Sequence, residues 1–227
     1  MMNLNVLYED NHLLIVEKPR NMPVQEDASG DLDLLNFAKQ YLVEKYNKPG
    51  DAFLGLVHRL DRPVGGVILF GKTSKGASRI SNEIRLNRLD RKYLAVVRGI
   101  PHQKKGTLTD YLLKNTKTNM SKVVGKGTEN AKLAKLDYEV IASDNKNALS
   151  LVKVKLHTGR SHQIRVQLSH MGFPIYGDQR YGQHVNSPGE QIALWAQELA
   201  VKHPTKDEQV VVSTPPPNEY PWNLFNL

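Results

Sequence analysis

Five consecutive residues, His58-Arg59-Leu60-Asp61-Arg62, include four polar or charged side chains. Asp61 is flanked by Arg59 and Arg62, and nearby cations favour the ionised form of a carboxyl group. An ionised carboxylate of this kind can act as a nucleophile or can anchor another group. The alternative is a surface loop held by salt bridges, which contributes little to stability and nothing to catalysis.

A second segment, residues 156–182, joins a polar stretch to a compact loop that contains three Gly and one Pro. Its first half predicts a helix over Arg160–Met171, because apolar side chains recur at positions i, i+4 and i+7. Such a helix can aim guanidinium and amide groups into a cleft while its apolar side chains anchor it. An ordinary amphipathic helix with exposed charges is the alternative. The candidate site residues of this segment are Arg160, Gln163, Ile164 and Arg165.

Other chemistries lack the residues they need. The chain has no Cys, which excludes disulfides, thiol nucleophiles and Cys-ligated metal sites. His157 and His162 are five residues apart, which is not the spacing of a helical metal-binding pair, so we expect no metal. Gly125–Thr128 lacks the first Gly of a P-loop.

The elements that must position these residues are mostly strands. Hairpin spacings are frequent, which favours an α+β fold with a largely antiparallel sheet. Helices are predicted over Leu32–Tyr46 and Ser74–Leu89, besides the one above. Strands are predicted near Asn5–Tyr8, His12–Glu17, Leu54–Val57, Gly66–Lys72, Lys92–Arg98, Thr107–Leu113, Lys135–Ser143, Ala148–Lys155, Ile192–Val201 and Gln209–Ser213.

Positive charge is concentrated in the middle of the chain. The formal net charge is +8, yet residues 72–135 alone hold sixteen Lys and Arg against four acidic residues. A segregated basic segment is typical of proteins that bind a polyanion such as nucleic acid, although a solvated lysine-rich surface is the alternative. Residues 114–132 are polar, basic and weakly patterned, and we predict a mobile insertion there. The length suits a single domain over residues 1–227.

Four motifs together resemble those of the RluA-type RNA pseudouridine synthases. They are VLYEDNHLLIVEKPRNMPV (6–24), HRLD (58–61), RKYLAVVRG (91–99) and the whole of 156–182. They occur in the order typical of that family and span nearly the whole chain. The resemblance implies a long, mostly antiparallel mixed sheet in two halves, with flanking helices and a central RNA-binding cleft. It also implies isomerisation of uridine to pseudouridine in structured RNA, without metal or cofactor.

The resemblance assigns roles to individual residues. It implies that Asp61 is the catalytic aspartate and that Arg165 pairs with its carboxylate. Tyr93 matches the tyrosine that packs against the target base, although Tyr93, Ala95 and Val97 share one face of a strand, so Tyr93 is alternatively a core residue. Residues expected to bind substrate are Arg59, which takes up the space left by the flipped base, together with His58, Arg62, Arg160, Gln163 and Ile164.

The chain departs from the family pattern in two places. Many members read HRLDxxTSG, whereas this chain has Val64 and Gly65 at the two hydroxyl positions. The usual KPxG of the opening motif reads KPRN, with Asn21 in place of Gly. Asn tolerates the left-handed conformation better than most residues, so we expect that turn to form.

Several alternatives remain open. The carboxylate can attack the sugar or the base, and the RNA can be ribosomal RNA, which family frequency favours, or transfer RNA. A non-catalytic RNA-binding protein on the same fold is another hypothesis. A metal-dependent nuclease is disfavoured because Asp61 lacks clustered carboxylates. We further expect a cytoplasmic monomer without a membrane span and without the S4-type RNA-binding domain common in the family.

Overall fold

The computed structural model describes residues 3–227, which form two compact units. Unit 1 comprises the described residues up to Arg91 together with Ala196–Pro215, and unit 2 comprises Lys92–Trp195 together with Pro216–Leu227. The helices are α1 (Leu34–Lys45), α2 (Ser74–Arg85), α3 (Gln163–His170) and a 3₁₀ turn at Trp222–Leu224. The strands are β1 (Val6–Glu9), β2 (Leu13–Lys18), β3 (Gly55–Leu56), β4 (Gly65–Gly71), β5 (Asp90–Arg98), β6 (Lys105–Asn115), β7 (Met120–Val124), β8 (Lys132–Asp144), β9 (Leu149–Leu156), β10 (Leu194–Lys202) and β11 (Gln209–Ser213).

In unit 1, β2 pairs antiparallel with β1 and β4, the short β3 also pairs with β4, and β10 pairs with β11. All seven residues of β4 are buried, as its uninterrupted apolar run predicts for a strand covered on both faces. Ile80 of α2 packs into the same core as Leu13, Leu69 and Val201. Strand β4 is part of this buried core, and the loop that carries Asp61 leads directly into it.

In unit 2, five strands lie in the order β5-β9-β8-β6-β7, and every pair is antiparallel. Helix α3 packs on one face through Val166, which contacts Leu112 and Ala134. A second cluster includes Leu94 and Trp222. The predicted α+β class with a mostly antiparallel sheet is confirmed.

All three predicted helices form, but each is shorter than predicted. Helix α3 begins at Gln163 because His162 adopts a left-handed conformation, with φ of 55°. Helix α2 ends at Arg85, and Asn87 with φ of 55° turns the chain away two residues later. Across residues 3–227, no helix combines the length and apolar character needed to cross a lipid bilayer.

The basic segment 114–132 contains a strand that the sequence pattern did not predict. Strand β7 pairs with β6 from Tyr111↔Val124 to Asn115↔Met120 and forms a hairpin. Side chains from a later loop hold it, since the Ser121 N–H donates to the Tyr181 hydroxyl at 2.9 Å. The mobility of this segment stays a prediction.

Candidate active site

Asp61 lies on the loop between β3 and β4, at residues 57–64. Apolar side chains anchor the loop, because Leu60 and Val64 are buried on either side of the carboxylate. The N–H of Val64 donates to the Asp61 carbonyl oxygen at 2.9 Å and closes a tight turn. The Asp61 side chain is half-buried. The loop therefore presents a carboxylate at the surface of unit 1 on a fixed backbone.

Lys18, the last residue of β2, supports this loop from below. Its side chain is fully buried, and its ammonium nitrogen donates to the carbonyl oxygens of Pro19 at 2.9 Å, Met22 at 2.6 Å and Arg62 at 2.9 Å. Three acceptors match the three donors of an ammonium group. Burial lowers the pKa of Lys18 to about 7, although the charge of Asp61 acts in the opposite direction. A buried cation thus ties the opening motif to the Asp61 loop.

His58 has a structural task within the same loop. Its Nε2 atom accepts a hydrogen bond from the Leu69 N–H at 3.0 Å, just beyond the end of the short β3–β4 ladder. Burial lowers the pKa of His58 to about 3, and the charge of Arg91 lowers it further. The imidazole is therefore neutral and carries its proton on Nδ1. Its contact with substrate stays a prediction.

Arg62 and Arg59 are both exposed. Arg62 contacts the neighbouring loop, where its guanidinium bonds Ser29 at 3.0 Å, approaches Asp27 at 3.5 Å and pairs with Asp31. Exposed pairs of this kind contribute little to stability, so Arg62 can exchange these partners for an anionic ligand. Arg59 lies two residues before Asp61 on the same loop, and its contact with substrate stays a prediction.

The backbone accommodates one departure from the family pattern, Asn21, and requires Gly66, which the chain shares with that pattern. Asn21 has φ of 65°, so it takes the left-handed conformation that the turn requires, as predicted. Gly66 has φ of +115°, and a Cβ atom there would lie 2.2 Å from the Ala196 carbonyl oxygen. The last position of the HRLDRPVGG motif therefore needs Gly for two independent reasons.

In unit 2, Arg165 of α3 is held by a carboxylate that the sequence did not indicate. Its Nε and Nη2 atoms each donate to Asp178 at 2.8 Å, and both side chains are buried. The same carboxylate accepts from the N–H groups of Arg180 and Tyr181, at 3.0 and 3.2 Å. A bidentate pair fixes the plane of a guanidinium group. It uses two of the five N–H donors of Arg165, and the predicted pairing with Asp61 stays a prediction.

Arg160 and Gln163 precede or begin α3 and bond to the sheet. Arg160 lies outside the helix, contrary to the predicted helix bounds, and its Nε donates to the Leu133 carbonyl oxygen at 2.8 Å. The buried Gln163 amide accepts from Thr158 and from the Arg160 N–H, and donates to the Lys135 carbonyl oxygen. These bonds position the start of α3. Substrate contacts by these residues stay a prediction.

Tyr93 and Ile164 are both buried in unit 2. Tyr93 lies on β5 directly opposite Val154, on the face of the sheet that α3 covers. This placement is compatible with either a core tyrosine or a ring that packs against a base. The role of Tyr93 therefore rests on the motif.

The structure divides the predicted site residues between the two units. It brings His58, Arg59, Asp61 and Arg62 together on one loop of unit 1, and groups Arg160, Gln163, Ile164 and Arg165 around the start of α3 in unit 2. The sequence reasoning missed Lys18 and Asp178. For Lys18, the available signal was its position at the end of an apolar run and before Pro19. For Asp178, it was the position after Gly177 in the compact loop.

Comparisons with known proteins agree with this geometry. Residues 12–170 match the RNA pseudouridylate synthase family. The chain is 33% identical over 225 residues to the uncharacterized RNA pseudouridine synthase YhcT of Bacillus subtilis strain 168, covering 99% of this chain and 71% of that protein. It is 28% identical to ribosomal large subunit pseudouridine synthase D of Pseudomonas aeruginosa PAO1, covering 99% of this chain and 72% of that protein.

A solved structure, human RNA pseudouridylate synthase domain containing 1, superposes with a TM-score of 0.76 at 27% identity. The superposition covers 95% of this chain and 84% of the human chain. Sequence match, fold and an intact HRLD loop agree. The chain belongs to the RNA pseudouridylate synthase family and is an enzyme that isomerises uridine to pseudouridine in RNA.

Proposed function

We propose that this enzyme modifies uridines in structured ribosomal RNA, with Asp61 as its catalytic carboxylate. The observation that carries the assignment of Asp61 is the support of its loop, in which Lys18 holds the Arg62 carbonyl oxygen from below. A loop fixed by a buried ammonium group keeps a half-exposed carboxylate in one position. This geometry supports a catalytic role for the HRLD loop over a solvated surface salt bridge.

The reaction breaks the bond between ribose C1′ and uracil N1 and forms a bond between C1′ and C5, while C5 releases a proton to solvent and N1 takes one up. The Asp61 carboxylate attacks the sugar at C1′, displacing N1, or adds to the base at C6, and in either route its bond to the substrate breaks again before product release. The target base leaves its stack, at a cost of a few kcal/mol. In this proposal Arg59 fills the vacated space, and the ring of Tyr93 packs against the flipped base, which contributes about 1–3 kcal/mol.

Arg165 is proposed to pair with Asp61 through N–H donors that Asp178 does not use. The bidentate bond to Asp178 supports this proposal, since it fixes the direction of the remaining donors. A charge-assisted bond would hold the carboxylate ionised and aligned. The remaining residues proposed to contact substrate, or to support residues that do, are His58, Arg62, Arg160, Gln163 and Ile164.

Ribosomal RNA is the proposed substrate because a relative over nearly the whole chain carries a large-subunit ribosomal name. We propose a cytoplasmic monomer, in keeping with an enzyme that meets ribosomal RNA during assembly. Transfer RNA is the alternative substrate.

The test uses cellular RNA labelled with tritium at uracil C5 and separated into ribosomal and transfer RNA. Wild-type protein is expected to release tritium from ribosomal RNA, and Asp61→Asn to release none. Asp51→Asn, an exposed aspartate of unit 1, is the matched control and should retain activity. Release from transfer RNA alone would overturn the proposed substrate, and full activity of Asp61→Asn would overturn the catalytic assignment.

A further inference from the structure

The strand register assigns the two faces of the unit 2 sheet. Tyr93, Val154 and Tyr138 are directly paired on β5, β9 and β8, so they share one face. Ala134, four residues before Tyr138 on β8, lies on the same face and packs with Val166 of α3. Helix α3 therefore covers this face, and alternate residues of the same strands point to the opposite one.

The opposite face changes character along the strands. On β9, Leu149 and Leu151 lie in a buried cluster that includes Trp222. Further along the same strand and on the same face come Lys153 and Lys155. The change from Leu to Lys marks where the core ends and an open part of the sheet begins.

A groove of about 520 Å³ lies on this open part. Four lysines from three strands line it, together with two carboxylates, Asp137 and Glu139, on β8. Adjacent strands are about 4.8 Å apart, so the lysines of β5 and β9 are neighbours, while the lysine of β6 lies about 10 Å from β9 with the β8 carboxylates between them. The lysines of this groove, named here the lysine groove, are Lys92, Lys105, Lys153 and Lys155.

The four lysines outnumber the two carboxylates, so the groove carries an excess of positive charge. In the strand register, Asp137 lies directly opposite Lys155, and Glu139 lies between Lys105 and Lys153. Asp137 also accepts from the Thr107 hydroxyl at 2.7 Å and lies 2.6 Å from Nε2 of His157. The register puts Lys92 directly opposite Lys155 on the other neighbouring strand, and like charges in that position are destabilising.

We infer that the lysine groove binds the sugar–phosphate backbone of an RNA duplex arm outside the loop that is modified. A surface cluster with an excess of positive charge suits a ligand with repeated negative charges, and lysine contacts to phosphates position RNA without reading its sequence. The groove lies on the sheet face opposite α3, so it extends the proposed function by a second RNA contact. The inference requires RNA as the substrate class and does not depend on the role of Asp61.

The test compares Lys105→Gln/Lys153→Gln with Lys48→Gln/Lys146→Gln, a control pair of equal charge change at exposed positions. Both are made in an Asp61→Asn background, so turnover does not enter the measurement. Fluorescence anisotropy gives the Kd for a stem–loop and for the same stem–loop with a long duplex arm, between about 50 and 200 mM salt. Melting curves confirm folding, and Lys105→Gln alone serves if the double variant melts early.

The groove variant is expected to bind the long RNA about tenfold more weakly, with a log–log salt slope reduced by about two. Its affinity for the short stem–loop and the affinities of the control pair should not change. Equal loss on both RNAs, or no loss on the long one, would overturn the inference. Unchanged RNA binding with lost binding to polyglutamate would overturn it in favour of an acidic protein partner.

Discussion

The ammonium nitrogen of Lys18 lies 2.9 Å from the carbonyl oxygen of Arg62, 44 residues further along the chain. This bond joins the end of β2 to the residue that follows Asp61. It joins the opening motif to the HRLD motif by a hydrogen bond between segments far apart in the chain. The backbone of the Asp61 loop is therefore held by a residue that is itself fully buried.

Lys18→Met tests whether the Lys18 ammonium group holds the Asp61 loop in place. The variant leaves three carbonyl oxygens, of which that of Met22 is in a buried bond, without their donor, so we expect a loss of about 1–3 kcal/mol in the free energy of unfolding. Displacement of the Asp61 loop should lower activity about 100-fold. Denaturant unfolding and tritium release measure the two effects. Lys39→Met, an exposed lysine of α1, should change neither, and a fully active Lys18→Met would remove the positioning role.

Asp178→Asn tests the support of Arg165. The substitution removes a buried carboxylate and leaves the buried guanidinium without its bidentate partner, which costs about 3–5 kcal/mol.

Arg165→Lys keeps the charge but cannot form two parallel bonds, so we expect lower kcat with little change in KM. Single-turnover kinetics on ribosomal RNA separate the effect on the chemical step from the effect on RNA binding. Retention of wild-type kcat by Arg165→Lys would contradict the need for a planar fork.

Glu9 predicts how unit 1 responds to acid. Burial alone would raise the pKa of Glu9, but bonds from Lys45, Lys72, Tyr46 and Tyr41 lower it to about 2. A carboxyl group whose pKa is lowered by folding stabilises the fold above its unfolded pKa, near 4.5, and loses that contribution as pH falls towards 2. The contribution is on the order of 3 kcal/mol.

Glu9→Gln should therefore lower stability at pH 7 and flatten its decline between about pH 4.5 and 2. Urea unfolding across that range measures the effect. Glu26→Gln, at an exposed position, is the control and should follow the wild-type curve. An unaltered pH dependence in Glu9→Gln would show that other carboxylates set the acid limit.

Gly66→Ala separates close approach from backbone conformation. Both Gly66 and Gly30 have positive φ, but a Cβ atom meets the Ala196 backbone only at Gly66, while Gly30 faces open space. Alanine at Gly30 should cost about 1–2 kcal/mol. Alanine at Gly66 should cost clearly more and displace the Asp61 loop. Thermal melting of the two variants measures the difference, and equal losses would contradict the steric explanation.

The sequence predicted ten strands and three helices because their apolar side chains follow clear periods, and the HRLD motif located Asp61. Strand β7 was missed because it is only five residues long, lies in a polar and basic segment, and pairs with β6 and bonds to Tyr181 only in the folded chain. Lys18 was missed for a similar reason, since its three acceptors come from segments that only the fold brings together. The strained turn at His162, which shortens α3, has no periodic signal either.

The turn at Asp178–Tyr181 has a mechanical consequence. Asp178 accepts hydrogen bonds from Arg165. In the same turn, the Tyr181 hydroxyl accepts from the Ser121 N–H of the β6–β7 hairpin, and Arg180 donates to the Asn119 carbonyl oxygen. The hairpin and the α3 arginine are thus linked through a single turn, and opening one loosens the other. We expect the amide protons of β7 and α3 to exchange with solvent in one concerted event, so that trimming the hairpin would unseat Arg165 as well.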